Sequence, residues 1–231
     1  MSSTSANQRA AVIFDLDGVL LDSEELHFRA YNEVLAEFGV QVGKKEYAEH
    51  WIGAGHGPEY AVAQYALPIT ASELRARKAP KYRRWLESGA RLMPGARATV
   101  ERLYGDFLLG IATNSSQRDV RWVLERLDLQ RYFAAVVTRE DYARAKPAPD
   151  AYVKVRADLG VAPAQCLVVE DSPRGVLAAR AAALAVVAVP NEFTRLCAFP
   201  PATEIVEKLE RITPEFVRAH LGPAGTESIL A

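Results

Sequence analysis

The sequence predicts a doubly wound α/β fold, a Rossmann-like parallel sheet with helices on both faces and an α-helical domain inserted after the first strand. Three observations carry this. Five short runs, residues 10–14, 108–113, 134–138, 166–170 and 185–189, are apolar at consecutive positions rather than alternating, as strands buried on both faces of a parallel sheet are. Helical patterns lie between them, and strands alternating with helices build a doubly wound sheet. The gap between Phe14 and Leu108 is the exception: roughly ninety residues is far more than a crossover needs.

Each element then has its own reason. Within the gap, Tyr31, Val34, Leu35 and Phe38 give a helix over 26–38, and Asp22 with Glu25 has the spacing of a capping box. Thr70 with Glu73 repeats that spacing and opens a helix expected to reach about Glu87. Pro94-Gly95 marks the return to the core. Val120, Val123, Leu124 and Leu127 follow i, i+3, i+4, i+7, and residues 150–159 and 174–183 read as two further helices. The expected division is a catalytic core from 1–20 and 93–231 around a helical cap from 21–92. The ends, 1–9 and 222–231, read as loose.

Composition excludes several classes. Of 231 residues, 49% are hydrophobic and 25% charged, with 28 Lys+Arg against 29 Asp+Glu, which is no disordered chain. A chain of this length buries roughly 70–75% of its unfolded surface and needs no disulfide or metal to fold. The net charge of −1 creates no field to attract nucleic acid or a membrane. Cys166 and Cys197 are the only cysteines, which suits a reducing compartment. Residues 1–9 lack the apolar run of a secretory signal, and the stretch 175–190, broken by Arg180, is too short to span a bilayer. A cytoplasmic monomer with no nucleic-acid or membrane partner is expected.

In an open parallel sheet, ligands bind outside the carboxyl ends of the strands. The first strand delivers Asp15-Leu16-Asp17-Gly18 there, with two carboxylates two residues apart and so able to face one site. The second delivers Thr113-Asn114-Ser115-Ser116 just before a helix, whose free N–H groups suit an anion. Lys146-Pro147-Ala148-Pro149-Asp150 follows the third, and Glu170-Asp171-Ser172-Pro173 ends the fourth. Clustered carboxylates repel one another unless a cation joins them, and oxygen ligands without His or Cys select Mg²⁺. Mg²⁺, a lysine and helix N–H groups together neutralise a phosphoryl group, the main demand of phosphoryl transfer. One carboxylate can attack phosphorus and form an aspartyl phosphate, while a second protonates the leaving oxygen and later deprotonates water.

Other motifs have plainer readings. Ser115 and Ser116 sit outside a G-x-S-x-G elbow and read as helix caps. The four histidines, at 27, 50, 56 and 220, lack zinc spacing. Gly53-Ala54-Gly55-His56-Gly57 has no strand before it, so it reads as a cap loop facing the catalytic centre rather than a nucleotide loop. Met93, Trp51, Trp85 and Trp122 read as packing residues.

At these motifs the chain resembles the haloacid dehalogenase superfamily, in the phosphatase and phosphomutase branch with a helical cap. The motifs are Phe14 through Glu24, Ala112-Thr113-Asn114-Ser115, Lys146 through Asp150, and Val169 through Val176, in family order over residues 10–209. The resemblance implies Asp15 as nucleophile and Mg²⁺ ligand, and Asp17 as general acid/base with its carbonyl on the metal. Thr113, Asn114 and Lys146 would hold the phosphoryl group. Asp171 would complete the metal site, with Glu170 a direct or indirect ligand. Asp17 is absent from the dehalogenases that named the family, so dehalogenation is disfavoured. Arg174 and Ala183 depart from the family pattern, Ala183 standing where glycine is common; both are expected to lie away from the chemistry.

Six basic residues and no acid occur between Arg75 and Arg84. They read as a solvated face, or as a run from which one or two members reach an anionic substrate. Residues 25–31 and Arg77-Lys78…Tyr82 are similar to β-phosphoglucomutases, which implies substrate contacts from His27, Lys78 and the loop residue His56. His56 stands where that mutase type has a cap arginine for a second phosphate, which favours a phosphatase of small phosphorylated metabolites, sugar phosphates among them. The alternatives are a β-phosphoglucomutase-type isomerase and a non-catalytic Mg²⁺ and phosphate-binding module.

Overall fold

The apolar runs become strands within one or two residues of their expected limits: β1 Ala11–Phe14, β2 Leu108–Ala112, β3 Ala135–Val137, β4 Cys166–Glu170 and β5 Ala185–Ala188. A sixth, β6 Glu204–Ile205, was not foreseen: it is two residues long, with both exposed, so no apolar run marks it. The computed structural model describes residues 10–201 and 203–222. Residues 1–9 and 223–231, expected to be loose, lie outside these, while Gly222 is tied to the core by its N–H to the Ala164 carbonyl at 2.8 Å.

All six strands are parallel, in the order β3-β2-β1-β4-β5-β6. The chain winds outward from β1 in one direction and then crosses to β4 and continues in the other. The switch point therefore lies between β1 and β4, where a ligand crevice opens at the carboxyl ends. Successive residues of β1 feed opposite faces. Val12 and Phe14 join one apolar cluster, and Ala11 and Ile13 a second. The helices that cover the two faces are α5 Ala96–Leu103, α6 Gln117–Arg126, α7 Asp150–Leu159, α8 Pro173–Ala181 and α9 Pro214–Ala219.

Between β1 and α5 the named elements among the described residues are all helical: α1 Glu24–Leu35, a 3-10 turn Ala36–Phe38, α2 Lys44–Glu46, a π-helical turn Tyr47–Gly53, α3 Gly57–Gln64 and α4 Ala71–Gly89. They bury their own cluster, including Val34, Leu35, Tyr47, Trp51 and Leu74, and Phe193 from the loop after β5 inserts into it. The α4 capping box forms as expected: the Thr70 N–H donates to Glu73 Oε2 at 2.7 Å, and the Glu73 N–H to Thr70 Oγ1 at 3.2 Å. The box expected at Asp22 does not. Ser23 is the N-cap of α1 and makes no capping bond; its side chain is turned to Asp17, to whose Oδ1 the hydroxyl donates at 2.6 Å. Asp22 and Glu25 pair instead with Arg91 and Arg29, both at 2.7 Å.

Ala183 precedes β5 with φ of +56°. A Cβ in this left-handed region is strained by about 1–2 kcal/mol, partly offset because alanine has fewer unfolded conformations than glycine. Ala183→Gly is therefore expected to stabilise the protein by about 0.5–1 kcal/mol, read as a higher midpoint in chemical denaturation at unchanged slope; a lower midpoint would refute the strain.

Candidate active site

β1 pairs with both β2 and β4, so the residues that follow these three strands converge. The Asp15 N–H continues the ladder to the Val169 carbonyl at 3.0 Å, which sets its carboxylate beside Glu170 and Asp171. Into this cluster the β3–α7 loop sends Lys146. Its Nζ lies 2.9 Å from Asp15 Oδ1, 2.6 Å from Glu170 Oε1, and 2.9 Å from both the Ala112 carbonyl and the Tyr152 hydroxyl. Burial works against the Lys146 charge, but the Asp15 and Glu170 carboxylates hold its pKa well above the usual lysine value.

The Glu170 carboxylate is fully committed. Oε1 accepts from Lys146 and from the Tyr152 hydroxyl at 2.6 Å, and Oε2 from the Asp171 N–H, Ser172 N–H and Ser172 Oγ at 3.1–3.3 Å. Despite burial, Lys146 and these hydrogen bonds keep Glu170 below the ordinary carboxylate range. The α8 backbone comes so close that a Cβ at Gly175 would stand 1.8 Å from this carboxyl. At Gly18, with φ of +76°, a Cβ would meet Asp171 Oδ2 at 2.3 Å. Both positions are glycine because the acids occupy the space of a side chain.

Asp15 and Asp171 are in a different condition. Burial, opposed by Lys146 and reinforced by Glu170 and Asp17, pushes the Asp15 carboxyl up to about 8. Burial and the Glu170 charge raise Asp171 well above its usual value. Asp171 Oδ2 accepts from Asn191 Nδ2 at 2.7 Å. Asp15 Oδ2 and Asp171 Oδ1 have no protein donor among the described residues, and both residues line a cavity of about 290 Å³. Asp15, Glu170 and Asp171 each offer an oxygen, all within 4.8 Å of one another. Hard oxygen donors whose ionisation is opposed by burial and by each other, and which keep unpaired atoms, fit a hard divalent cation that would relieve both.

Asp17 faces the same cavity but is saturated with donors. Oδ1 accepts from Ser23 at 2.6 Å and stands 3.5 Å from His27 Nε2; Oδ2 accepts from Ser115 at 2.5 Å and Thr113 at 3.3 Å. Although burial acts to raise it, the His27, Ser115 and Ser23 contacts hold Asp17 well below the carboxylate range. The capping expectation is thus split: Ser116 caps α6 through the Asp119 N–H, whereas the Ser115 hydroxyl belongs to Asp17. Asn114 is turned so that its Oδ1 accepts from the Lys146 N–H at 3.2 Å and the Tyr142 hydroxyl at 2.7 Å.

Of the cap residues, His27 and Lys78 reach this cavity and His56 does not. His27 stacks on Tyr82 with ring centroids 4.0 Å apart, and its Nδ1 lies 2.5 Å from Lys78 Nζ. Lysine only donates, so Nδ1 accepts and Nε2 carries the hydrogen toward Asp17. Burial and the Lys78 charge lower the His27 pKa, and burial brings Lys78 to about 8. His56 instead lines a larger cavity of about 1080 Å³ with Arg75, Arg139 and Arg174; Tyr31, Tyr47, Trp51, Ile52, Asn114 and Arg174 line both spaces.

The basic run divides in the same way. Arg75 pairs with Glu59, Arg77 and Lys81 with Glu37, Arg83 with Asp119, and Arg84 with Glu33. Lys78 alone of the six falls on the inward stripe Leu74-Lys78-Tyr82-Leu86, whose i, i+4 spacing marks one helix face. A lysine in an apolar stripe was the available signal. Arg174 is a correction: expected to lie away from the chemistry, it lines both cavities and donates to the Lys146 carbonyl. Tyr152 and Asn191 were missed. Asn191 follows the fifth strand and was accessible to the same strand-end rule; Tyr152 was hidden among the core positions of α7.

A family model described as haloacid dehalogenase-like hydrolase matches residues 12–189. The chain is 33% identical to Protein CbbY of Rhodobacter capsulatus, covering 80% of this chain and 87% of that one. It is 31% identical to the fructose-1-phosphate phosphatase YqaB of Escherichia coli, over 76% and 93%. The solved structure of CbbY from Rhodobacter sphaeroides in complex with phosphate superposes with a TM-score of 0.76 at 25% identity, over 91% of this chain and 99% of that one. With strand order, motif order and relatives in agreement, the chain belongs to the haloacid dehalogenase-like hydrolases, in their phosphatase branch, and is a phosphoric monoester hydrolase.

Proposed function

We propose that the protein is a Mg²⁺-dependent phosphatase that hydrolyses a small phosphorylated metabolite, a sugar phosphate above all, through an aspartyl phosphate. The observation that carries this is the Lys146 ammonium bonded to Asp15, beside unpaired oxygens of Asp15 and Asp171 on one cavity. Relatives named as a fructose-1-phosphate phosphatase and a hexitol phosphatase support the substrate class.

In this reading Asp15 attacks phosphorus as the bond to the ester oxygen breaks, and Asp17 gives its proton to the departing alkoxide. Asp17 then takes a proton from water, which attacks the acyl phosphate, releases phosphate and frees Asp15. The saturated Asp17 described above is in its base form, so the acid step requires the Ser23 and Ser115 bonds to loosen and Asp17 to take up a proton from water when substrate enters. Lys146, Thr113 and Asn114 hold the phosphoryl oxygens. Asp15, Asp171 and the Asp17 carbonyl would hold Mg²⁺, with Glu170 behind them anchoring Lys146. When bound, the ion neutralises phosphoryl charge. The cap, residues 21–92, closes over the core, 1–20 and 93–231, and limits competing water.

Asp15→Asn is expected to reduce turnover of any good substrate by roughly 10⁴-fold or more with thermal stability retained, since asparagine keeps the shape, its Oδ1 still accepts from Lys146, and Glu170 remains to pair with that ammonium. Near wild-type turnover would falsify the nucleophile assignment. For the metal, a Mg²⁺ titration should raise the melting temperature, by the equivalent of about 2.7 kcal/mol at a hundredfold excess over Kd. Asp171→Asn should abolish that rise. An equal rise in the variant would remove Asp171 from the site.

The isomerase reading keeps one specific support, the larger cavity, which has room for a second phosphate beside Arg139 and Arg174, with Arg75 there already paired to Glu59. Its test is β-glucose 1-phosphate with a bisphosphate primer: glucose 6-phosphate formed faster than free phosphate would favour it over hydrolysis.

A further inference from the structure

The phosphatase reading uses the core side of the 290 Å³ cavity and leaves its cap side without a role. Glu24, His27 and Tyr31 follow i, i+3, i+7 and so share one face of α1. All three line the cavity, joined by Tyr47 and Trp51 from the π-helical turn. His27 is engaged by Lys78 and Asp17. The Glu24 carboxyl and the hydroxyls of Tyr31 and Tyr47 are not: none has a hydrogen-bond partner among the described residues.

Glu24 is half-buried on the cavity wall, and a carboxyl there with no protein donor is free to accept hydrogen bonds from a ligand. Burial and the neighbouring Asp17 charge, against Lys78, raise Glu24 to about 7. Nor does Glu24 belong to the cation cluster, which gathers Asp15, Glu170 and Asp171. The wall thus offers one carboxylate acceptor, two phenol hydroxyls and three aromatic side chains. The cations of this cavity are already engaged, Lys78 at His27 and Arg174 at the Lys146 carbonyl, and a second anionic group on this wall would meet Glu24; Arg75 and Arg139 line the other cavity. Hydroxyl groups on an uncharged carbon chain supply what this wall lacks, donors to Glu24 and acceptors for the tyrosines.

We propose that Glu24 is the specificity-determining residue of this enzyme, accepting hydrogen bonds from hydroxyls of a polyol or sugar monophosphate while the Tyr31 and Tyr47 hydroxyls complete the set. This rests on the phosphatase reading of the same cavity. A site built to bond hydroxyls rejects substrates that lack them, since its own polar groups are then left unpaired.

The experiment compares kcat/KM for sorbitol 6-phosphate, glucose 6-phosphate and fructose 1-phosphate with kcat/KM for p-nitrophenyl phosphate, all with Mg²⁺. In Glu24→Gln, which keeps the shape, and in Glu24→Ala, the ratio of the best sugar or polyol ester to the aryl ester should fall roughly 10- to 100-fold. Tyr47→Phe should lower it roughly two- to tenfold, and gives an independent reading if either Glu24 variant fails to fold. A ratio unchanged in the folded variants overturns the inference while the phosphatase reading stands. An unmodified enzyme that prefers the aryl ester to every sugar and polyol ester overturns it too. If no ester is turned over, the phosphatase reading falls and this inference with it.

Discussion

Everything at the carboxyl edge of the sheet depends on one buried ammonium. Lys146 is 4% exposed and touches two carboxylates, a carbonyl and a phenol. A charge that deep survives only with partners, and its partners in turn need it: Glu170, with no exposed surface at all, is kept ionised by Lys146 first and by hydrogen bonds second. Once Glu170 is satisfied, Asp15 and Asp171 are left facing the cavity with carboxyls whose ionisation burial and the Glu170 charge oppose. A positive charge arriving there would favour their ionised forms, which is what a cation site requires. Glycines at 18 and 175 follow from the same crowding, since side chains there would occupy the carboxyl positions.

A second dependency runs between the two halves of the chain. Asp17 comes from the core strand end, yet Ser23 and His27 at the start of the cap hold it from one side and Thr113 and Ser115 from the other. The first motif is continuous across that boundary, so movement of α1 relative to β2 changes the donors around Asp17. On the opposite side, Asn191 binds Asp171, and two residues later Phe193 is buried in the cap cluster beside Phe28 and Tyr47. Lys44 of the cap reaches Glu192 at 2.9 Å between them. Both Asp17 and Asp171 are thus positioned by contacts that cross from core to cap.

How much of this was legible in the sequence follows from which interactions are local. Consecutive apolar residues located five strands because a strand buried on two faces has no polar alternation to confuse it. β6 escaped because Glu204 and Ile205 bury neither face. The acids and Thr113 were legible because each lies at or within three residues of a strand end, and parallel register brings such positions together; Lys146, farther along the loop after β3, was marked by the prolines that follow it. Ser115 was read as a cap because capping is the ordinary use of a serine before a helix. Only the arrival of Asp17 from a residue 98 positions away redirected its hydroxyl. Asp22 and Glu25 have capping-box spacing, but Arg91 and Arg29 compete for their carboxylates.

The cap was harder to read for a reason that lies in helix geometry. Spacing fixes which residues of a helix share a face, but the face turned to the site depends on how the helix is rotated, and that is set by packing against other helices. On α4 the apolar residues Leu74, Tyr82 and Leu86 fix the rotation, so Lys78 between them must point inward, and the other basic residues must not. On α1 the buried residues Leu26, Ala30 and Val34 turn the neighbouring stripe of Glu24, His27 and Tyr31 toward the cavity. Taken together, the two stripes explain why His27 and Lys78 meet. They also explain why Arg75, three residues before Lys78, opens onto the adjoining space instead. His56 has no such stripe, since it stands before α3 in a loop whose path no periodicity constrains. The near-zero net charge of the chain hides this arrangement, in which acids gather at the sheet edge and cations on the helix above it.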